Sequence, residues 1–152
     1  MDKTSVSYKR LQAGDESLFA ELVKLFNVEF EKPDLDYVNV ENIKTLLTQP
    51  DFVCFVALSE NQVVGGLTGY ELKMYGYVGS TMYLYDMAVA NTYQRKGIGS
   101  KLVSELKTYC AQNGIRDMYV QADVSDDHAL AFYKSLDGEP ADVVHFTFDT
   151  SE

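Results

Sequence analysis

Hydrophobic positions recur at two spacings along this chain, and the switches between them lay out its elements. Val6 to Leu11 reads as a short first strand. Gly14-Asp15 then introduces a helix whose apolar face carries Leu18, Leu22, Leu25 and Phe26, and which ends before Pro33. A second helix is predicted from Asp36 to Thr48, with Val40, Ile43 and Leu47 inward and Pro50 beyond its end. Phe52 to Leu58 is a compact strand, Glu60-Asn61 a turn, and Val63 to Leu72 the hairpin partner. Lys73 to Ser80, with Gly76 and Gly79, reads as a loop, and Met82 to Val89 as the next strand. The longest helix is predicted over Gly99 to Asn113, with Leu102, Val103, Leu106, Tyr109 and Cys110 inward and Asn113-Gly114 as its stop. Met118 to Ala122 is a strand, Asp127 to Leu136 a helix, and Val143 to Phe148 a final strand. The order β-α-α-β-β-β-α-β-α-β predicts an α/β or α+β protein with helices covering a sheet. No repeat, low-complexity tract or linker interrupts it, so residues 1–152 are expected to form one domain.

Composition narrows the function. Apolar residues at 46% and charged residues at 24% suit a globular chain. The net charge of −10 argues against nucleic acid, which needs a broad basic surface, and favours a cationic partner, although solubility alone also accounts for it. Cys54 and Cys110 lie within apolar patterns without CxxC or His-rich spacing. They are expected to be buried free thiols, neither disulfide nor metal ligands. The N-terminal MDKTSVSYKR lacks the apolar core of a signal peptide, and no apolar run has the length of a membrane span. A cytoplasmic protein with no membrane partner is the expectation.

Candidate chemistry starts at Gln94-Arg95-Lys96-Gly97-Ile98-Gly99, between a predicted strand and the longest helix. Glycines there let a ligand approach the main chain, the helix N-terminus adds partial positive charge, and Arg95 and Lys96 add full charges. A tight turn explains Gly-x-Gly equally well. The G-x-x-x-x-G-K-[ST] loop and the G-x-G-x-x-G fingerprint with its ribose-binding acid are both absent.

This segment resembles the Q/R-x-x-G-x-G/A signature of the GNAT superfamily of N-acetyltransferases. "LYDMAV" is similar to the preceding central strand of that superfamily, and "ALAFYKSL" to its later tyrosine-bearing helix. "YLYDMAV", "YVQADVSDD" and "VVHFTFD" further resemble the aminoglycoside 3-N-acetyltransferases. The resemblance implies a mixed, mostly antiparallel sheet flanked by helices, acetyl-CoA as co-substrate and a homodimer. It implies that Met87, Ala88 and Val89 offer main-chain groups to the pantetheine arm and thioester oxygen. Gln94, Arg95, Lys96, Gly97, Ile98, Gly99 and Ser100 would hold the pyrophosphate, and Tyr133 would protonate the departing thiolate. Two departures touch the coenzyme contacts: Asp126 stands where asparagine often precedes the tyrosine helix, and Asp137-Gly138 replaces a single glycine after it.

Acetylating an amine requires a neutral nucleophile, so a base is needed. Asp86 interrupts an apolar strand and is the candidate, the alternative being an end-of-strand acid bonded to backbone or arginine. Neither cysteine has a paired histidine nearby in sequence, which favours direct attack in a ternary complex over a covalent enzyme intermediate. Asp123, Asp126, Asp127 and Asp149 form either a solvated rim or a set of partners for a multiply charged amine. Tyr83 and Tyr85 bracket Leu84 and could line the acceptor slot, and His145 in the final strand is a satisfied strand histidine, a substrate contact or an auxiliary base. The leading expectation is an acetyl-CoA-dependent aminoglycoside 3-N-acetyltransferase. The rivals are an acetyltransferase for polyamines, small amines or peptide amines, and a non-catalytic acyl-CoA-binding sensor.

Overall fold

The computed structural model describes residues 5–151, which divide into two compact units, the first running to Gln121 and the second from Ala122. In the first unit five strands lie side by side in chain order: β1 (Val6–Arg10), β2 (Phe52–Ser59), β3 (Gln62–Lys73), β4 (Ser80–Val89) and β5 (Ile115–Val120). The first four pair antiparallel and β5 runs parallel to β4, the mixed, mostly antiparallel sheet expected. Helices α1 (Glu16–Glu29), α2 (Val40–Thr48) and α3 (Ile98–Gln112) pack on it, and a single 3-10 turn, Asn91–Tyr93, precedes α3. The second unit holds α4 (Asp127–Ser135), followed by irregular chain.

Side-chain alternation in β2 assigns the faces. Cys54 and Val56 join Phe19, Leu22, Phe26 and Ile43 in one buried cluster beneath α1 and α2. Phe55, between them, points the other way and meets the Tyr109 ring of α3 edge-on, with centroids 6.1 Å apart. Leu102, Val103, Leu106 and Cys110 are the buried stripe of α3. Both cysteines are free and buried, and burial raises both thiols, Cys110 to about 11 and Cys54 higher still. The β2–β3 hairpin closes through Glu60 and Asn61, both at positive φ (50° and 63°), as a two-residue connection between the paired Ser59 and Gln62.

Several boundaries move for local reasons. The second helix starts at Val40 rather than Asp36, because the Asn39 side chain accepts the Asn42 N–H at 3.0 Å and caps it there. The preceding loop is tied to α1 by the Asn27 side-chain amide, which donates to the Tyr37 carbonyl at 2.9 Å. Val40 consequently stays exposed, and Ile43 is the buried residue of that helix. The expected loop Lys73 to Ser80 shortens, since β3 runs through Lys73 and β4 begins at Ser80, paired with it. Where Met118 to Ala122 was the expected strand, β5 spans Ile115–Val120, because Gly114 (φ 70°) reverses the chain directly after α3.

The largest correction concerns Val143 to Phe148, which forms no strand. Alternating apolar residues supply a face, but a strand also needs a neighbouring edge to bond its backbone. No strand among the described residues pairs with this segment.

Close packing of α1 on β3 generates a stability test. A Cβ placed on Gly66 would stand 2.6 Å from Leu22 Cδ1 and 2.7 Å from the Phe55 carbonyl oxygen, and the carbonyl cannot yield. Gly66→Ala should therefore destabilise by about 1–3 kcal/mol, the usual scale of overpacking. Gly76→Ala, where an added Cβ meets nothing within 4 Å, should stay within about 0.5 kcal/mol of wild type. Urea titration of both variants checks the contrast, and equal midpoints would refute the close approach.

Candidate active site

The site is organised by an irregularity in β4. Thr68 pairs with Asp86 but Gly69 pairs with Leu84, so Tyr85 is an extra residue, a β-bulge. In a regular strand Tyr85 and Asp86 would face opposite sides of the sheet. Here both line one cavity of about 210 Å³ on the side of α1 and α2. The reset alternation also turns Ala88 toward the α1–α2 cluster.

Aromatic residues wall this cavity. Phe19, Phe26 and Phe30 come from α1 and its end, Phe52 from β2, Tyr70 from β3 and Tyr85 from β4. They belong to a longer row across the sheet: Phe19 on Phe52, Phe52 on Tyr70, Tyr70 edge-on to Tyr85, Tyr85 edge-on to Tyr83, and Tyr83 stacked on Tyr119 at 4.6 Å. The Tyr83 hydroxyl donates to the Gln121 side-chain oxygen at 2.6 Å and fixes the β5 end of the row. The outward end of the row is open, with Tyr85 54% and Tyr119 42% exposed. Asp86 is the carboxylate within these walls. Burial raises its carboxyl above its ordinary value, and the charge of Lys32, which lines the same cavity, partly opposes that. Asp86 is thus a carboxylate that takes up a proton more readily than an ordinary one, with the Lys32 charge acting on it.

Below the bulge, β4 and β5 separate. β5 pairs with β4 only over Ser80 to Leu84, so Tyr85 to Val89 have no strand partner on that side within the first unit. Main-chain groups of Met87, Ala88 and Val89 therefore border an opening in the sheet, where an extended polar chain can bond to them. The chain leaves Val89 through the 3-10 turn into Arg95 (φ 62°) and Gly97 (φ 82°), two left-handed residues that curl the backbone at the start of α3. No side chain caps α3, which leaves the N–H groups of Ile98, Gly99 and Ser100 to a ligand. A Cβ on Gly97 would meet nothing within 4 Å, so the space over this loop is open. Lys96 lies over the Tyr93 ring at 5.2 Å, and Arg95 is exposed. Gln94 has a different task from its neighbours: its side-chain amide donates to the Val89 carbonyl at 2.9 Å and ties the loop to the strand end. Together the curled loop, the uncapped helix and the open β4 edge fit a pyrophosphate with an extended amide-bearing arm.

Tyr133 lies in the second unit, on α4, with its ring packed edge-on against Phe132 at 5.1 Å. Burial, then the Asp126 charge, raises its phenol above the ordinary value, so it holds its proton at neutral pH. Asp126 caps α4, its side chain accepting the Ala129 N–H at 3.0 Å, which an asparagine oxygen would do equally well. Asp127 sits in the first turn of α4, and Asp123 is exposed before it, its carbonyl accepting the Asp126 N–H at 2.9 Å. His145 and Asp149 lie on the irregular segment, both exposed. Asp149 accepts from the Ser151 N–H and hydroxyl at 2.9 and 2.6 Å, which lowers its carboxyl. Among the described residues no group of His, Cys, Asp or Glu is placed to hold a metal ion, and no helix is long and apolar enough to cross a membrane.

Sequence reasoning had found Tyr85 and Asp86 but not Asn27, Lys32, Thr68 or Tyr70. Tyr70 carries a legible signal, an aromatic on the strand paired with Tyr83. Lys32 has none, being one more charge in a polar loop.

A model of the Acetyltransferase (GNAT) family matches residues 18–137. No curated protein matches in a sequence search. Among solved structures, the aminoglycoside acetyltransferase meta-AAC0020 from an uncultured soil metagenomic sample, in complex with sisomicin, is 37% identical. Its TM-score is 0.92, with 96% of this chain and 97% of that one covered. The aminoglycoside acetyltransferase HMB0005, also from an uncultured soil metagenomic sample, is 31% identical over 97% of this chain and 99% of that one, with a TM-score of 0.91. The aminoglycoside N-acetyltransferase AAC(6')-Iy in complex with CoA shares the fold, at a TM-score of 0.81 and 14% identity, over 99% of this chain and 98% of that one. The curled loop before α3, the splayed β4 edge and these matches agree, and the chain belongs to the GNAT family of acetyltransferases.

Proposed function

We propose that residues 1–152 work as one N-acetyltransferase domain, in the cytoplasm and as a homodimer, that acetylates the 3-amino group of aminoglycoside antibiotics and so confers resistance. The observation that carries this reading is Asp86, turned by the bulge into an aromatic-walled cavity beside an open strand edge. Likeness to meta-AAC0020, whose structure holds sisomicin, supports the choice of acceptor.

When bound, acetyl-CoA supplies the thioester whose acetyl group is transferred. The main chain of Met87, Ala88 and Val89 binds its arm, and the Arg95–Ser100 turn with Lys96 binds its phosphates. Asp86 removes a proton from the acceptor ammonium, and its raised carboxyl makes it better matched to that task than an ordinary carboxylate. The exposed faces of Tyr85 and Tyr119 suit the apolar faces of sugar rings, while Asp123, Asp126, Asp127, Asp149 and His145 are the polar groups for the remaining ammoniums and hydroxyls. Tyr133, protonated at neutral pH, donates its proton to the departing thiolate. The state of the thiols supports direct attack, since burial keeps both Cys54 and Cys110 protonated and covered.

Thiol release from acetyl-CoA, run in parallel with a gentamicin-type antibiotic, spermidine and a lysine peptide, tests the acceptor. The antibiotic should turn over fastest, with the product acetylated at the 3-amino position by NMR. Preference for spermidine or the peptide would overturn the reading, and no turnover with any amine would point to a coenzyme-binding sensor.

Proton transfer makes a separate prediction. Asp86→Asn should lower kcat by about 10²–10⁴-fold while coenzyme affinity persists. Lys32→Met removes the charge that favours the Asp86 carboxylate, so the Asp86 carboxyl should rise further. The acid limb of the pH–rate profile then moves to higher pH, with the rate above it little changed. An acid limb that stays in place would separate Lys32 from Asp86.

For the phosphate loop, Gly97→Val imposes a branched side chain on a backbone at φ 82° and fills open space above the loop. Calorimetry should find coenzyme binding lost in a folded protein. Unchanged affinity would reduce the loop to a turn.

A further inference from the structure

A carboxylate is unfavourable at the C-terminal end of a helix, where the helix dipole is negative. α1 ends on one all the same: Glu29 is its last residue, and no basic side chain stands in that final turn. The Glu29 carboxylate finds its partner 62 residues further on, where it accepts the Asn91 N–H at 3.1 Å. Asn91 begins the 3-10 turn that carries the chain from β4 into the loop before α3. The neighbouring amides are held by the sheet or by the turn itself. The Ala90 N–H donates to the Val64 carbonyl at 2.8 Å, the Tyr93 N–H to the Ala90 carbonyl at 2.8 Å, and the Gln94 N–H to the Asn91 carbonyl at 3.3 Å. Glu29 is what ties this turn to α1.

The loop beyond the turn needs such a tie. Arg95 stands at φ 62°, a left-handed backbone that a non-glycine residue keeps only where its surroundings impose it. The same end of α1 also supplies Phe26, Asn27 and Phe30, with Lys32 just beyond, to the cavity around Asp86. One short stretch of chain thus walls the acceptor cavity and grips the approach to the coenzyme loop.

We propose that Glu29 is a positioning residue for the coenzyme: by holding the Asn91 N–H it preorganises the 94–100 loop for the pyrophosphate. The proposal rests on the reading of that loop as the phosphate site. Two effects of the carboxylate oppose each other. Its charge repels the coenzyme phosphates, a force that solvent and salt weaken between separated groups. Its hydrogen bond removes freedom that the loop would otherwise lose on binding. A direct charge-assisted bond outweighs a screened repulsion, so the net effect of Glu29 is tighter binding.

Calorimetric titration of the full chain with CoA tests this. Glu29→Ala should weaken binding about tenfold, the scale of one hydrogen bond to a charged group. Glu29→Gln removes the charge but keeps an oxygen that accepts the same N–H, so its affinity should stay within about threefold of wild type. Asn91→Pro removes the donor instead, and Ala90, at φ −54° and ψ 139°, already has the backbone that a following proline requires. It should weaken binding as Glu29→Ala does, and the double variant should lose no more than either alone. Hydrogen exchange reads the tie without coenzyme: the Asn91 amide should be slow in wild type and Glu29→Gln, and fast in Glu29→Ala. In steady-state assays the Glu29→Ala defect should fall on the KM for acetyl-CoA, with kcat retained.

Unchanged affinity in Glu29→Ala, or the tighter binding that charge repulsion alone would give, would overturn the proposal and leave the loop's assignment standing. A wild type that does not bind CoA would overturn both. If Glu29→Ala fails to fold, Glu29→Gln against Asn91→Pro makes the same comparison, and a fast-exchanging Asn91 amide in wild type would overturn the proposal by itself.

Discussion

Strict alternation of side chains along a strand is the constraint on which this site depends. β4 has to present Met82 and Leu84 to the α3 side, where both are buried, and then present a carboxylate to the opposite side. With an unbroken period of two, Asp86 would follow Met82 and Leu84 into the apolar layer beneath α3, where an unpaired carboxylate is costly. The extra residue at Tyr85 resolves the conflict within one peptide unit. It also sets apart the two halves of β4: the first is paired on both sides, and the second is bordered by β3 alone. The cavity-facing Asp86 carboxyl and the open main chain beside it thus lie on either side of one local disruption.

That disruption was not legible in the sequence, although its products were. Asp86 stands out as a charge inside an apolar run, and the glycines before α3 as a loop that lets a phosphate approach the main chain. The bulge depends on where β3 stops in register against β4, between Thr68 and Gly69, and a register is a property of two strands. Lys32 and Asn27 were missed for a similar reason. Both act across space, one on a carboxylate far along the chain and one on the carbonyls of a loop, and neither breaks any local pattern.

Helices were read well because a helix bonds its own backbone, so its stripe and its caps are all local. The stop at Asn113-Gly114 lies within a residue of the observed end, and the later start of α2 comes from the Asn39 cap, which the expected start at Asp36 did not include. Strands were read well where a hairpin supplied the partner, as through Glu60 and Asn61. Val143 to Phe148 shows the limit. Its pattern specifies a face to be buried, but a strand also needs an edge to bond its backbone, and no strand among the described residues pairs with it.

The two cysteines give the fold a chemical reticence suited to handling an activated acyl group. A thioester exchanges readily with any accessible thiolate, and an enzyme with an ionised sulfur near its co-substrate would risk trapping the acetyl group on itself. Burial holds the Cys110 thiol up at about 11 and Cys54 above that, so both remain protonated across physiological pH. Apolar packing of the sheet thereby protects the acyl donor from wasteful self-acylation, and the same packing shields both sulfurs from oxidants.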